Sequence, residues 1–232
     1  MSSALVLFSG GLDSTTALYW AGKKFGHNVI ALTFDYGQRH RLEIKMASRI
    51  CQNLKIPQII HRIDLTQIGG SSLTDPSLPL PEHKNIGRTK NKLPSTYVPF
   101  RNGIFLSLAA AWAEVKEVHN LVCGFNTLDS PDYPDTRLEF VRAMESAVYR
   151  GTSFSISKKR IKIHAPLIKM KKSQIIETGL SLGADYSFSI SCYAGKEIPC
   201  FKCSSCRHRQ KAWDEIGKED HLLIRLKKEG KI

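Results

Sequence analysis

Acidic residues are scarce in this 232-residue chain, with 21 Asp and Glu against 34 Lys and Arg, and so are long apolar runs. The first apolar run, Ala4 to Phe8, is five residues long, and no later one approaches the length of a membrane-spanning helix. A secretion leader and a membrane anchor are therefore not expected, and the reading is a soluble, cytoplasmic protein. The acid deficit leaves a net charge of +13, which favours a polyanionic partner, either nucleic acid or the phosphates of a nucleotide. Arg150 to Lys172 carries eight Lys or Arg and no acid, but the stretch ISKKRIKIHAPLI inside it reads as a strand with solvated lysines. No internal repeat and no flexible linker between large domains is visible. With 42% hydrophobic residues, one core is the expectation.

Cysteine is sparse except in one place. Cys51 and Cys123 sit alone in apolar segments and read as core filler, whereas Cys192, Cys200, Cys203 and Cys206 fall within fifteen residues as C-x7-C-x2-C-x2-C. Four thiolates at that spacing suit one structural, tetrahedral Zn²⁺ with no open position for catalysis. An iron-sulfur cluster is the rival, because C-x2-C-x2-C also opens ferredoxin ligand runs. Lys202, Arg207 and Arg209 make the segment too polar to bury four free thiols. The eight histidines form no ligand pattern, and His61 and His164 are expected on strands with local partners.

The apolar patterns alternate. Ala4 to Phe8, Asn28 to Phe34, Gln58 to Ile63 and Leu121 to Cys123 read as strands, and Thr15 to Lys24, Arg39 to Leu54, Pro99 to Val115 and Arg137 to Tyr149 read as helices. The expected fold is α/β: a Rossmann-like parallel sheet with helices on both faces, ligands at the carboxyl ends of the strands, and a C-terminal four-cysteine zinc-binding segment. Residues 1–188 would form the main domain and 189–232 a tail packed on it. Thr66 to Ser95, with Pro76, Pro79, Pro81 and Pro94, is too long for an ordinary connection and reads as a possible lid.

The turn after the first strand, in FSGGLDSTTAL, lacks a lysine. A Walker-type loop needs one for the terminal phosphates, so that class is excluded. What is present still makes an anion site: amides from Gly10 to Ser14 at a helix N-terminus, hydroxyls on Ser9 and Ser14, and Asp13 to help position a divalent metal. The SGGxDS pattern resembles the pyrophosphate loop of N-type ATP pyrophosphatases (PP-loop enzymes). The resemblance implies that Phe8, Ser9, Gly10, Gly11, Leu12, Asp13 and Ser14, continued by Thr15, Thr16, Ala17 and Leu18, hold ATP as Mg²⁺-ATP and release AMP. Lys172, in PLIKMKKSQII beside Lys171 and Lys169, resembles the lysine which that class aims at the phosphates.

Four further stretches, FDYGQRH, TYVPFRNGIFLS, GFNTLDSPDYPDTRLEF and SCY before the cysteine cluster, together resemble the 7-cyano-7-deazaguanine synthases of the QueC family over nearly the whole chain. That resemblance implies conversion of 7-carboxy-7-deazaguanine, ammonia and ATP into the nitrile precursor of the queuosine base, through an adenylated acid and then an adenylated amide. It also implies one bound zinc, a homodimer, and no direct use of tRNA as substrate. No glutaminase segment is visible, so free ammonia is the expected nitrogen source. Asp13, Lys172 and Arg101 are the catalytic candidates. Arg101, Asn102 and Arg137 are candidates for the reacting end of the substrate, Asp135 or Glu139 for its guanine-like edge, and Asn126 for substrate binding, since a carboxylate accepts N–H donors and arginine pairs with a carboxylate. The chain departs from the family pattern YSGYPDCRPEF at Ser130, Asp132, Thr136 and Leu138. It departs again with Pro199 and Phe201 around Cys200 and with Lys171 where a hydroxyl residue is common. Two other classes stay open: a tRNA-thiolating PP-loop enzyme with an iron-sulfur cluster, and a non-enzymatic, zinc-containing RNA-binding module.

Overall fold

The computed structural model describes residues 3–81, 93–128 and 133–232. Among these, five strands form one wholly parallel sheet: β1 (Ala4–Leu7), β2 (Val29–Asp35), β3 (Gln58–Arg62), β4 (Asn120–Val122) and β5 (Lys162–His164), in the order β3-β2-β1-β4-β5. Apolar residues on consecutive positions of β1 follow from this, because a central parallel strand is covered on both faces. Ala4, Val6 and Phe8 enter one core with α1 (Leu12–Phe25), α2 (Leu42–Leu54), α6 (Lys172–Ser181) and α7 (Ser204–Glu215). Leu5 and Leu7 enter the other, with α3 (Arg101–Val115) and α4 (Leu138–Gly151). Each fully buried side chain of this kind, Leu5 or Leu18 for example, contributes about 1.5–3 kcal/mol relative to exposure.

The strand order puts the functional loops together. From β1 the chain runs outward through β2 and β3, then returns to lay β4 against the opposite edge of β1, so the crevice opens between the ends of β1 and β4. Gly124, just after β4, is packed against the first turn of α1: a Cβ there would come within 3.0 Å of the Asp13 carbonyl and the Ser14 nitrogen.

Three expectations change in detail. The basic strand shrinks to β5, because its pairing partner β4 offers only three residues; α5 (Ser153–Ile156) and an exposed turn with Lys158 at φ 54° precede it. The tail gains α7 and α8 (His221–Lys228), whose polar surfaces hid their periodicity. Helix α1 begins at Leu12, three residues early, since Gly11 serves as its N-cap. The proposed lid falls partly on residues 82–92, outside the described residues. Its described flank is packed down: Ser71 and Ser72 are fully buried, and the Ser72 N–H donates to Ser95 O at 2.7 Å.

The tail shares the main core. Trp213 and Ala212 are buried in the α1 cluster, and the Ile190 N–H donates to Gly10 O at 3.1 Å. Arg209, 5% exposed, makes a two-point ion pair with Asp220 at 2.5 and 2.8 Å and donates to Ser189 O at 2.8 Å. His61 and His164 do find local partners, Trp112 and Asn120.

Candidate functional site

One cavity of about 440 Å³ runs from the glycine turn to the N-terminus of α3. The glycine-turn end is mostly backbone. Gly10 sits at φ +81°, and a Cβ on it would meet the Ala47 nitrogen and Glu43 carbonyl at 3.0 Å, so only glycine lets the turn lie against α2. No side chain caps α1, and its first amides are left for a ligand at the positive end of the helix dipole. Ser9 and Ser14 brace the turn through their hydroxyls, 3.1 Å apart, with the Gly11 N–H donating to Ser9 Oγ. Lys172 Nζ lies 2.7 Å from both oxygens of Asp13, and each side chain is mostly buried. This pair neutralises two buried charges without a ligand, and an incoming polyphosphate would compete for the lysine.

The other end is made of side chains. Phe100 adopts a left-handed conformation at φ 51°, and its ring covers Gly103, where a Cβ would approach it to 2.3 Å. The turn carries Arg101 into the cavity, with its guanidinium 5.8 Å from the Tyr36 ring centre and 5.7 Å from that of Phe105. Asn102 donates its backbone N–H to Asp135 Oδ2 at 3.1 Å and its side-chain amide to Asp135 O at 3.2 Å, joining α3 to the 3-10 turn Pro134–Thr136. Burial pushes the Asp135 carboxyl above the ordinary range, opposed by the Asn102 N–H and by Arg101. Burial likewise pushes Tyr36 up to about 12, so it remains a neutral phenol. Tyr97 and Tyr133 lie with ring centres 5.6 Å apart, and Thr96 bonds the Tyr133 hydroxyl at 2.7 Å.

Between the two ends stands the segment after β2. Gln38 is buried; its amide oxygen accepts the Tyr36 N–H and its nitrogen donates to Phe34 O and to Glu43 Oε1. Glu43 Oε2 is 3.2 Å from His40 Nε2. From the opposite wall the tail contributes Ser191, Tyr193, Ser204 and Arg209.

Sequence reasoning thus placed the turn, Lys172, Arg101, Asn102, Asn126 and Asp135 in one cavity, and the structure brings all of them together. Asn126 donates to Met170 O at 2.6 Å, tying the loop after β4 to the loop before α6. Arg137 and Glu139 are exposed and absent from the cavity lining among the described residues, because the helix α4 turns them outward. Thr15, Thr16, Ala17 and Leu18 are buried behind the turn; Thr16 bonds the Tyr186 hydroxyl at 2.7 Å rather than facing the cavity. Tyr36, Tyr97, Phe105, Tyr133 and His40 had no role assigned from sequence. The signal for Tyr36 and His40 was available, since FDYGQRH follows the strand paired with β1. Of the departures from the family pattern, Ser130 and Asp132 lie outside the described residues. Thr136 is buried and donates to Tyr133 O at 2.9 Å, and Leu138 packs against the α3/α4 core.

Beside the cavity, the Sγ atoms of Cys192, Cys200, Cys203 and Cys206 all lie within 4.8 Å of one another. Sulfurs sharing one tetrahedral ion stand about 3.8 Å apart, from metal-sulfur bonds of about 2.3 Å, so the cluster could hold a single metal ion. Hydrogen bonds from Cys203 and Cys206 favour a thiolate at Cys192, while the same contacts hold the thiols of Cys203 and Cys206 up. A divalent cation removes that conflict by favouring all four thiolates.

The family model described as "Queuosine biosynthesis protein QueC" matches residues 3–217. This chain belongs to the QueC family. Among curated relatives, it is 43% identical over 228 residues to "7-cyano-7-deazaguanine synthase" of Methylococcus capsulatus, covering 97% of this chain and 100% of that protein. It is 44% identical to the protein of the same name from Trichodesmium erythraeum, covering 95% and 99% respectively. Among solved structures, NMN synthetase from Francisella tularensis superposes with a TM-score of 0.51 at 15% identity, covering 97% of this chain and 82% of that one, a likeness of fold alone. No helix among the described residues is long and apolar enough to cross a membrane.

Proposed function

We propose that this QueC-family chain is an ATP-dependent 7-cyano-7-deazaguanine synthase, joining ammonia to 7-carboxy-7-deazaguanine through an adenylated acid and an adenylated amide. The observation that carries the reading is the single cavity with an anion-binding backbone turn at one end and an aromatic, carboxylate-bearing pocket at the other. A flat base stacks on Tyr36, Tyr97 and Tyr133, Asp135 accepts from its N–H edge, and Arg101 pairs with its carboxylate. The β and γ phosphates of ATP occupy the turn, and Lys172 leaves Asp13 to meet them. The base carboxylate is then held in line with the α-phosphorus, displaces pyrophosphate and becomes an acyl adenylate. Ammonia displaces AMP to give the amide, whose oxygen is adenylated in turn, and loss of the second AMP leaves the nitrile. No covalent enzyme intermediate is needed; positioning and charge stabilisation supply the rate.

Zinc is the metal we assign to the four thiolates, because four sulfurs drawn this close suit one shared ion better than separate irons of a cluster. Its contribution is structural, holding Ser191 and Tyr193 against the cavity. Mg²⁺ would accompany the ATP, neutralising phosphate charge, with Asp13 as the carboxylate on the turn. Ammonia as donor, a homodimeric assembly, cytoplasmic location and tRNA only as a downstream recipient complete the proposal. Its test is direct: purified protein is mixed with ATP, Mg²⁺, an ammonium salt and 7-carboxy-7-deazaguanine, and products are read by mass spectrometry. The nitrile and AMP are expected. AMP released only with a different carboxylate would overturn the substrate while leaving the role of the turn intact.

A further inference from the structure

We infer that the end of the molecule opposite the cavity is a docking surface for the phosphate backbone of double-stranded RNA. The inference goes beyond the proposed function and stands apart from it. Inside the cavity only Lys172 and Arg101 are assigned to anions, which leaves most of the net charge of +13 without a use. The strands of a parallel sheet start at one end, and their register shows which segments gather there. Ala4 pairs with Val29 and Asn120, and Asn120 with Lys162, so β1, β2, β4 and β5 start level; α1 and α3 end there, because they lead into β2 and β4.

That end is basic. Lys24 lies in the last turn of α1, Lys116 follows α3, and Lys158, Lys159, Arg160 and Lys162 lead into and open β5; all six residues are exposed. Contacts fix the turns to one another. Ser153 N–H donates to Glu114 at 2.7 Å, Lys162 N–H donates to His119 O at 2.9 Å, and the His119 and Phe154 rings stand 4.9 Å apart. Lys24 and Lys162 both lie near enough to His164 to disfavour its charged form. The segments Gly22 to Val29, Val115 to Val122 and Arg150 to Lys172 contain one acid, Glu117. Glu114 and Glu145 reach in from α3 and α4, where the backbone N–H groups of Ser153 and Ile163 hold them. None of the six bases makes an ion pair among the described residues, whereas Lys211, Arg225, Lys227 and Lys231 of the tail are all paired. Lys24 complements the negative end of α1, but the run from Lys158 follows only the one-turn α5. Like charges held together without partners repel, and a polyanion relieves that repulsion.

The composition of the surface selects the polyanion. Its exposed large apolar residues are Val115 and Ile156, one on each of two elements, and no Phe, Tyr or Trp of these segments is exposed. Two aliphatic side chains without interfacial aromatics make a poor membrane anchor, and without exposed rings the bases of a single strand have nothing to stack on. Helices α1 and α3 reach this end only by their last turns, so no helix is offered to a DNA major groove. Lysines and arginine on short turns contact phosphates and read no sequence, which is the way double-stranded RNA is held by its shape and backbone.

The test is binding of the full chain to an RNA duplex of about 16 base pairs, read by fluorescence anisotropy at rising salt. Affinity should fall by about 10²–10³-fold between about 50 and 200 mM salt, as release of counterions from about four to six phosphates requires. Combining Lys158→Glu, Lys159→Glu and Arg160→Glu should weaken RNA binding by about 10–100-fold with the melting temperature unchanged, since all three side chains are exposed and outside the cavity lining. The same charge change at Lys45, Lys196 and Lys218, exposed on α2 and the tail, should leave affinity within about 3-fold. If the first triple variant does not fold, Lys116→Glu combined with Lys162→Glu carries the test with the same expected loss. Equal loss in the two triple variants overturns the inference, because net charge alone then accounts for binding. So does a wild-type chain that prefers a DNA duplex of the same sequence, or one that ignores RNA at low salt, whether or not it binds vesicles containing phosphatidylserine.

Discussion

The cavity is made of backbone at its glycine-turn end and of side chains at its aromatic end. The turn from Ser9 to Ser14 is one continuous stretch whose shape is set by two glycines and a helix N-terminus. The aromatic end is assembled from Tyr36 after β2, Tyr97 and Arg101 at the start of α3, Asp135 in the 3-10 turn and Tyr193 in the tail. A backbone site recognises any anion of the right size and so fits a step common to many acceptors. A side-chain site of this composition selects one acceptor. Under the proposed function, reaction type would reside at the first end and substrate choice at the second.

The sharpest way to separate them is Lys172→Ala. Loss of the cation paired with Asp13 should lower kcat by about 10²–10³-fold whatever carboxylate is offered, and should lower the melting temperature as well because Asp13 is left unpaired, while ATP binding rather than base binding carries the kinetic loss, as kinetics and a thermal melt would report. A wild-type rate would remove the lysine from the phosphate end. Metal removal should blur the distinction, because the tail touches both ends, through Ile190 at Gly10 and Tyr193 at the aromatic wall. Chelation or Cys200→Ser should lower thermal stability and impair pyrophosphate exchange and base binding together. Retained exchange with lost base binding would show that the tail serves one end only.

Asp135→Asn should act on the aromatic end alone. The KM for the base should rise about 10-fold or more, as expected for a lost hydrogen bond to a charged group, with the KM for ATP unchanged. Stability should not fall. Burial raises the Asp135 pKa in the folded protein, so its contribution is complete below the ordinary carboxylate range and is lost as pH rises through the raised value; at neutral pH the charge is a cost that asparagine avoids. A denaturant titration at pH 7 and at pH 5 checks the sign.

The smallest effect lies outside the cavity lining. Burial, with Lys24 and Lys162 nearby, holds His164 down to about 4. The unfolded chain therefore binds a proton that the fold refuses, and stability present above pH 6.5 is lost as pH falls toward 4. His164→Gln should flatten that limb by about 1–2 kcal/mol, the half-exposed ring being screened by solvent, without altering kinetics at either end.

The same contrast explains what the sequence made legible. The glycine turn could be read because its chemistry is contiguous, and the four cysteines because metal geometry restricts their spacing. The alternation of β1, β2 and their helices revealed the sheet, since both faces of a parallel strand must be apolar. The aromatic wall was not legible, because Tyr36 and Phe105, with ring centres 5.3 Å apart, meet only after the chain has crossed to β3 and returned to α3. Arg137 and Glu139 sit beside Asp135 in sequence, but the 3-10 turn buries Asp135 and α4 carries its neighbours outward. Helix α7 went unseen because its buried face is narrow, chiefly Cys206, Arg209, Ala212 and Trp213, and its remaining surface is polar.

The central claim is that a substrate oxygen attacks the α-phosphorus while the turn retains the pyrophosphate. Oxygen-18 in both carboxylate positions of 7-carboxy-7-deazaguanine tests it by mass spectrometry of the released nucleotide. The account predicts two AMP per nitrile, each bearing one labelled oxygen, with unlabelled pyrophosphate. ADP with the label in inorganic phosphate would contradict it.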